Sequence, residues 1–377
     1  LYAGAADLYL ETGDERLWPP LEACWRSVVE RKMYVTGGCG ALYDGASPDG
    51  SENQAQISRV HQAYGRNYQL PQTTAHNETC AAIGSVLWNW RMFLATGDAK
   101  YVDVLELALY NSVLAGVSLS GEDYFYVNPL RQVEPLPAPL RWPRRRVPFV
   151  VSYCCPPNVL RTIAQSASYA YAAAEDGAYV NLYGSSTLST THAGEPLKLS
   201  QTTEYPWDGR VRIAIEACPS APFALHVRIP GWSGAATVRI NGRPLETFTA
   251  PGAFAKLHRK WSPGDVVDID LPMPATLLEA HPLVEEARNH VAVKRGPVVY
   301  CLESPDLPDD VRVDEAVAPA DVEFTVRRDR ELLGGVAVLE AQLAVRPAGD
   351  WDGVLYRPRT RAESRLVRTQ LIPYYAW

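Results

Sequence analysis

Residues 210–242 read RVRIAIEACPSAPFALHVRIPGWSGAATVRING, in which short runs alternate apolar and polar side chains. The stretch ends in Asn241–Gly242, a dipeptide that strongly favours a hairpin turn. Similar runs recur from Gly177 onward at intervals of about 8–12 residues, as in antiparallel β-sandwiches. The pattern therefore predicts that the second half of the chain is built from antiparallel β-sandwich domains.

The first half has helical periodicity instead. Apolar residues recur at spacings of three and four in segments 1–12, 15–31, 77–96, 98–115 and 156–174. Asn77 is predicted to cap the third helix, and Pro156 and Pro157 fit the first turn of the last. Segment 36–58 lacks periodicity and is expected to be a long loop, and the proline-rich segment 118–153 is expected to be a loop with short strands. The helices could form a small bundle or one arc of a helical toroid; because the chain begins within a helical pattern, we expect the arc.

Composition excludes several classes of protein. The 377 residues are 47% hydrophobic and 21% charged, with a formal net charge of −7, which argues against nucleic acid as a partner. No run approaches the ~18 apolar residues of a membrane helix, and no signal peptide is recognisable, so the compartment cannot be read. Seven cysteines with irregular spacing, including adjacent Cys154 and Cys155, form a poor disulfide framework.

Two clusters at predicted helix starts carry the chemistry, His76–Cys80 and Cys154–Asn158. Together they offer three thiols and one carboxylate, a donor set that Zn²⁺ accepts. Helix N-termini also favour the thiolate that a metal or a nucleophilic reaction needs. The alternative is that these cysteines are ordinary buried residues, which we expect of the remaining four, Cys24, Cys39, Cys218 and Cys301.

Six motifs in order resemble glycoside hydrolase family 127, the β-L-arabinofuranosidase family, over nearly the whole chain. They are YVTGGCG (34–40), YGRNYQLP (64–71), ETCAAIG (78–84), LYNSVLAG (109–116), YFYVNPL (124–130) and CCPPN (154–158). The resemblance implies an (α/α)6 barrel followed by two β-sandwich-like domains, with about half the barrel absent here. The fold class is thus multidomain, α then β. The implied domains are a partial barrel (1–174), a β-sandwich (175–275), a second β-sandwich-like domain (276–362) and a strand returning to the first sandwich (363–377).

The resemblance also assigns roles to residues. Glu78, Cys80, Cys154 and Cys155 match the family's zinc ligands. Cys154 also matches the nucleophile that forms a glycosyl-thioether, and Tyr126 matches a substrate-contacting tyrosine.

One position departs from the family pattern. Gln62 stands where the family has its acid/base glutamate, and an amide can neither protonate the leaving oxygen nor deprotonate water. His61, Glu52 or His76 could take over, as could a residue of the absent half of the barrel. Alternatively the substrate differs, the enzyme is catalytically weak, or Gln62 hydrogen-bonds a sugar hydroxyl. His61 is also a candidate for the wall of the substrate pocket, although a structural role is the more common one for a lone histidine. The basic run RWPRRR (141–146) could bind an acidic sugar, but we expect a solvated loop.

The sequence therefore predicts a retaining, zinc-dependent glycosidase that releases a terminal β-L-arabinofuranose-like sugar from a plant glycan or glycoprotein. Alternatives are another plant-cell-wall sugar as substrate, or a carbohydrate-binding zinc protein without turnover. No membrane partner is expected, and a homodimer is left open. We expect the chain by itself to be inactive.

Overall fold

The computed structural model describes residues 1–42, 63–134, 136, 140, 142–245, 250–349, 351–358 and 364–377. Helices occupy the first part of the chain and sheets the rest, as the sequence predicts. The described ranges contain five α-helices: α1 (Tyr2–Thr12), α2 (Trp18–Val29), α3 (Thr79–Thr96), α4 (Ala99–Ala108) and α5 (Cys155–Gln165). Among the described residues, no helix has the length and apolar character needed to cross a bilayer.

Helices α3 and α4 form the centre of the helical part. Gly97 ends α3 in the left-handed conformation (φ 68°), and its amide donates to the Phe93 carbonyl at 2.7 Å. The prediction that Asn77 caps α3 is wrong. Glu78 is the extended residue before the helix, and its side chain makes no capping hydrogen bond.

Beyond α4 the helix changes type. Residues Leu109–Val113 form a π-helical turn and Leu114–Gly116 a 3₁₀ turn, within the single helix predicted for 98–115. The Asn111 side chain donates to the Pro297 carbonyl at 2.9 Å and accepts from the Val299 amide at 2.8 Å. The π turn thus places a buried amide against a distant strand, a tertiary contact that helical periodicity does not report.

The last predicted helix is shorter than its pattern. It ends at Gln165 and passes through a 3₁₀ turn, Ser166–Tyr169, into a strand over Tyr171–Ala174. That strand pairs with Gly177–Val180 in the first sheet. The expectation that the helix continues to residue 174 is therefore wrong, because this alanine-rich end of the segment pairs with the neighbouring strand instead.

The strands are numbered along the chain. They are β1 (Tyr171–Ala174), β2 (Gly177–Val180), β3 (Ser186–His192), β4 (Glu195–Thr203), β5 (Arg210–Ala217), β6 (Phe223–Ile229), β7 (Thr237–Ile240), β8 (Arg243–Pro244), β9 (Ala253–Arg259), β10 (Val266–Asp270), β11 (Ala275–Glu279), β12 (Val291–Arg295), β13 (Val298–Cys301), β14 (Ala316–Val317), β15 (Thr325–Asp329), β16 (Val336–Val345) and β17 (Arg365–Pro373).

The first two sheets share one core. Their strand orders are β1-β2-β6-β9 and β3-β4-β5-β10-β7-β8. Apolar side chains of both sheets, including Leu199 and Ile213 from one and Leu225 and Val227 from the other, pack into a single buried cluster. The pairing is not wholly antiparallel, since β2 and β6 run parallel. Between β2 and β6 the chain forms three strands of the second sheet, β3, β4 and β5. It therefore enters the first sheet again in the direction of β2.

A third sheet has the order β11-β12-β13-β17-β16-β14, with β15 on β16. Strand β17 pairs with β13 and β16. The expectation that residues 363–377 return to the first sandwich is therefore wrong for this strand, because its apolar face completes the core of the third sheet. The helices of the first part pack around two further apolar clusters. The description of this part as a piece of an (α/α)6 barrel stays a prediction.

Candidate metal and catalytic centre

Two helix N-termini meet at the predicted chemical cluster. Cys80 lies in the first turn of α3, two residues after Glu78. Cys154 precedes α5 and Cys155 opens it, followed by Pro156 and Pro157 in positions where a missing amide costs nothing. The fold thus brings together residues that are 75 positions apart in the chain.

The donor atoms of this cluster lie close together. One ligand atom from each of Glu78, Cys80, Cys154 and Cys155 falls within 4.8 Å of all the others. The sulfur of Cys155 is 3.4 Å from that of Cys80 and 3.7 Å from that of Cys154. Tetrahedral zinc has Zn–S bonds of about 2.3 Å, which requires sulfur–sulfur edges of roughly 3.8 Å. The spacing and the chemistry of the donors therefore fit a zinc ion.

The thiols influence one another strongly. The hydrogen bond between the Cys80 and Cys155 sulfurs lowers the pKa of the Cys80 thiol to about 7, and the Asn158 amide donates to the Cys80 sulfur at 3.3 Å. The hydrogen bond to Cys80, together with burial, raises the pKa of Cys155, and burial raises that of Cys154. Three thiols this close cannot all ionise without a positive charge between them, so the electrostatics also fit a bound cation.

Tyr126 borders the cluster. Its side chain is 7% exposed, and burial first, then the charge of Glu78, raises the pKa of its phenol. The Tyr126 carbonyl accepts from the Thr79 amide at 2.9 Å, which holds the tyrosine at the start of α3. The predicted substrate-contacting residue thus lies beside the predicted ligands.

His76 lies beside Glu78. Its ring is buried, and Nε2 is 3.8 Å from Glu78 Oε2. The ring also meets Tyr126 edge-on, with centroids 6.0 Å apart. The other positions considered for acid/base catalysis or the pocket wall, Glu52, His61 and Gln62, lie outside the described residues.

Three further residues approach the cluster that sequence reasoning did not select individually. Asn158 donates to Cys80, Ser152 Oγ is 3.5 Å from Cys154 Sγ, and Trp142 stacks on Tyr126 with centroids 3.8 Å apart. The spacing of Asn158, one helical turn after Cys154, could have indicated it. No periodicity marks Ser152 or Trp142, since their segment is irregular.

Models of one family match the chain almost from end to end. The catalytic domain described as "Beta-L-arabinofuranosidase, GH127 catalytic domain" matches residues 2–168. The corresponding middle domain matches residues 177–273, and the "Glycoside hydrolase family 127 C-terminal domain" matches residues 275–377.

Individual relatives agree with the family models. A "Non-reducing end beta-L-arabinofuranosidase" of Bifidobacterium longum subsp. longum is 32% identical over 396 residues, which cover 100% of this chain and 56% of that protein. A solved "Glycoside hydrolase" superposes with a TM-score of 0.94 at 49% identity and covers 100% of this chain and 62% of its own. A GH127 β-L-arabinofuranosidase from Geobacillus stearothermophilus T6, Ara127N-Se, gives 0.88 at 35% identity and covers 100% and 57%.

The chain spans between 56% and 62% of the length of these three relatives. All three domain models nevertheless follow one another without overlap along it. On this evidence the chain belongs to glycoside hydrolase family 127.

Proposed function

We propose that the protein containing this chain is a retaining glycoside hydrolase that releases a terminal β-L-arabinofuranose-like sugar from a plant glycan or glycoprotein. The observation that carries the proposal is the Glu78, Cys80, Cys154 and Cys155 cluster, with its donor atoms within 4.8 Å of one another. Membership of a family described by β-L-arabinofuranosidase activity supports the sugar, and a relative with that activity in its name supports the non-reducing end.

Zinc is the proposed cofactor, with those four residues as ligands. When bound, it would supply the positive charge that keeps the thiols ionised at neutral pH. Side chains of the protein would carry out every other step. Tyr126 and the side chains around it would orient the sugar, and the thiolate of Cys154 would attack the anomeric carbon.

The choice of Cys154 as nucleophile has support from burial. Cys155 has no exposed surface, and Cys80 accepts a hydrogen bond from Asn158. Cys154 is half-buried, and its sulfur lies 3.5 Å from Ser152 Oγ and 3.7 Å from Cys155 Sγ. In the first step its sulfur would bond to the anomeric carbon as the glycosidic carbon–oxygen bond breaks, and an acid/base residue, for which His76, His61 and Glu52 are the candidates, would protonate the leaving oxygen. In the second step the same residue would take a proton from water as the water oxygen displaces the Cys154 thiolate, which gives net retention.

The proposal can be tested on the full-length protein with an activated arabinofuranosyl inactivator. We expect about one zinc per chain, as for a four-ligand site, and a glycosyl adduct that maps to Cys154. Cys154→Ala should lose the adduct, while Cys24→Ala, which alters a half-buried cysteine of α2 outside the cluster, should keep both zinc and adduct. An adduct at another residue, or no zinc in the parental protein, would remove the proposed mechanism.

A second candidate function rests on Gln62, which replaces the family's acid/base glutamate. It keeps the fold and the zinc cluster but takes a different plant-cell-wall sugar. Hydrolysis of another glycoside in a substrate panel, without action on β-L-arabinofuranosides, would favour it. Zinc with sugar binding but with no hydrolysis and no adduct would favour the non-catalytic zinc protein instead.

A further inference from the structure

The basic run at 141–146 is not a solvated loop over its described part. From residue 142 onward, side chains alternate between contact with the protein and solvent. Trp142, Arg144 and Arg146 turn toward the protein, while Pro143 and Arg145 are exposed. The segment therefore presents every second residue, 142, 144 and 146, to the protein.

Trp142 contacts the candidate site directly. Its ring stacks on Tyr126 with an interplanar angle of 14°, whereas His76 meets the same ring edge-on. Both rings belong to the apolar cluster that includes Cys80, Cys154 and Cys155. Since a stacked ring restricts rotation of its partner, Trp142 fixes the plane in which the Tyr126 phenol can lie.

Arg144 ties two backbone segments together. Its guanidinium donates to the Thr73 carbonyl at 2.5 Å and to the Arg131 carbonyl. The Thr73 hydroxyl accepts a hydrogen bond from Arg131 Nε at 3.0 Å, and the Thr73 amide donates to the Glu286 carboxylate at 3.4 Å. Every polar group of this buried threonine is thus engaged from another part of the fold.

The anchored segments lead straight into the candidate site. Residues 77–79 run antiparallel to 126–128, with a bridge between Glu78 and Val127. The Asn128 amide donates to the Asn77 carbonyl at 2.8 Å. Glu78 and Tyr126 lie on this short ladder, and Arg144 holds the same two stretches of chain a few residues beyond it, at Thr73 and Arg131. Displacement at Thr73 or Arg131 is therefore transmitted to Glu78 and Tyr126.

Arg146 uses its donors in the same way. It donates to the carbonyls of Ala115 at 3.0 Å and Tyr375 at 2.9 Å, and also to that of Trp377. Arg144 and Arg146 thus direct their guanidinium groups to backbone oxygens rather than outward, which weakens the reading of this run as an acidic-sugar site.

We propose that residues 142–146 position the candidate centre, with Trp142 acting through Tyr126 and Arg144 acting through the segment that carries Glu78. Only the effect on catalysis rests on the proposed function. Both are positioning residues, because neither supplies a ligand atom or a reacting group. A planar, two-pronged donor is needed at position 144, since two carbonyls are held at once.

The first experiment is a double-mutant cycle on kcat/KM in the full-length protein, with Trp142→Ala, Tyr126→Ala and the double variant. We expect Trp142→Ala to lower kcat/KM by about tenfold, mainly through KM, and to add nothing in the Tyr126→Ala background. Trp142→Phe, which keeps a stacking ring, should recover most of the loss. Additive losses, or no rescue by phenylalanine, would overturn the role of Trp142.

The second experiment measures zinc release to a chelator and does not depend on activity. We expect release about tenfold faster in Arg144→Ala, as for loss of an outer-shell partner, and a similar defect in Arg144→Lys. Arg145 carries the same charge one residue along the chain, on an exposed side chain. Arg145→Ala should therefore release zinc at the parental rate. Equal rates in Arg144→Ala and Arg145→Ala would overturn the role of Arg144.

The outcomes also separate this inference from the proposed function. A parental protein that binds zinc but hydrolyses no arabinofuranoside defeats the proposed function and leaves the release experiment decisive. An active parental protein without zinc defeats the metal site and leaves the double-mutant cycle decisive. A parental protein with neither zinc nor activity overturns both.

Discussion

Gly40 sets a steric limit on the candidate centre at the scale of single residues. A Cβ atom at this position would lie 2.0 Å from the His76 carbonyl oxygen. That oxygen is backbone and sits two residues before Glu78, so it cannot move aside like a flexible side chain. The last glycine of the motif YVTGGCG is therefore required by close backbone approach rather than by a left-handed conformation.

We predict that Gly40→Ala destabilises the protein by about 1–3 kcal/mol, as overpacking does, and weakens zinc binding because it displaces the segment before Glu78. Urea unfolding and zinc competition on the full-length protein measure the two effects. Gly84→Ala is the matched control, since the space around this exposed glycine of α3 is open. It should leave zinc affinity unchanged, and alanine in a helix should be neutral or stabilising. Equal behaviour of the two variants would show that Gly40 is not constrained.

The residues of the candidate centre differ in how far the sequence could indicate them. Glu78, Cys80, Cys154 and Cys155 have the right chemistry at two helix starts, and the structure brings them together. Their roles as ligands and nucleophile stay predictions. The stack of Trp142 on Tyr126 could not be predicted, because it depends on the path of an irregular, proline-rich segment. The same holds for Thr73, a small polar residue whose three contacts all come from distant parts of the chain.

At the scale of elements, the turn between α3 and α4 consists of two residues, Gly97 and Asp98. Gly97 closes one helix, and Asp98 caps the next by accepting the Lys100 amide at 3.1 Å. Both helices pack on the same apolar clusters, so the turn sets how α3 presents Cys80.

We predict that Asp98→Ala lowers the free energy of unfolding by about 1 kcal/mol, through loss of the N-cap. Asp98→Asn keeps a capping oxygen and should retain most of the stability. It loses only the partly exposed ion pair with Lys100, at 3.5 Å, and such pairs contribute little. Thermal unfolding of both variants decides between these effects. If asparagine is as harmful as alanine, charge rather than capping stabilises this turn.

Element types were easier to predict than element ends. Periodicity located α1 to α5 and the change from helix to sheet, since it records which face each element buries. It missed the π turn at Leu109–Val113 and the strand at Tyr171–Ala174. Both depend on partners far along the chain, Pro297 and Val299 for the turn and β2 for the strand. The parallel pairing of β2 with β6 is likewise a property of the path, not of either strand.

At the scale of the whole molecule, a buried ionic network joins the helical part to the first sheet. Arg228 of β6 has no exposed surface and pairs with Asp103 and Glu106 of α4, at 2.5 Å each. Glu106 also accepts from the Tyr205 hydroxyl at 2.6 Å and from Trp232 Nε1 at 3.3 Å. One guanidinium thus pairs with two carboxylates at the interface, and its removal would leave both without their ion-pair partner.

We predict that Arg228→Met destabilises the protein by about 3–5 kcal/mol at pH 8, because unpaired buried charge is costly. Burial already raises the pKa of Asp103, and loss of Arg228 should raise it further. The folded variant then binds a proton at a pH where the unfolded chain does not, so its stability increases as pH falls, and the deficit should be smaller at pH 5. Urea unfolding at both pH values measures this.

Neutralising both acids with Asp103→Asn and Glu106→Gln should recover part of the loss. Arg212→Met, which breaks an exposed pair with Asp268, should cost at most about 1 kcal/mol at either pH. A deficit that is independent of pH and of neutralisation would mean that Arg228 acts by packing and not by charge.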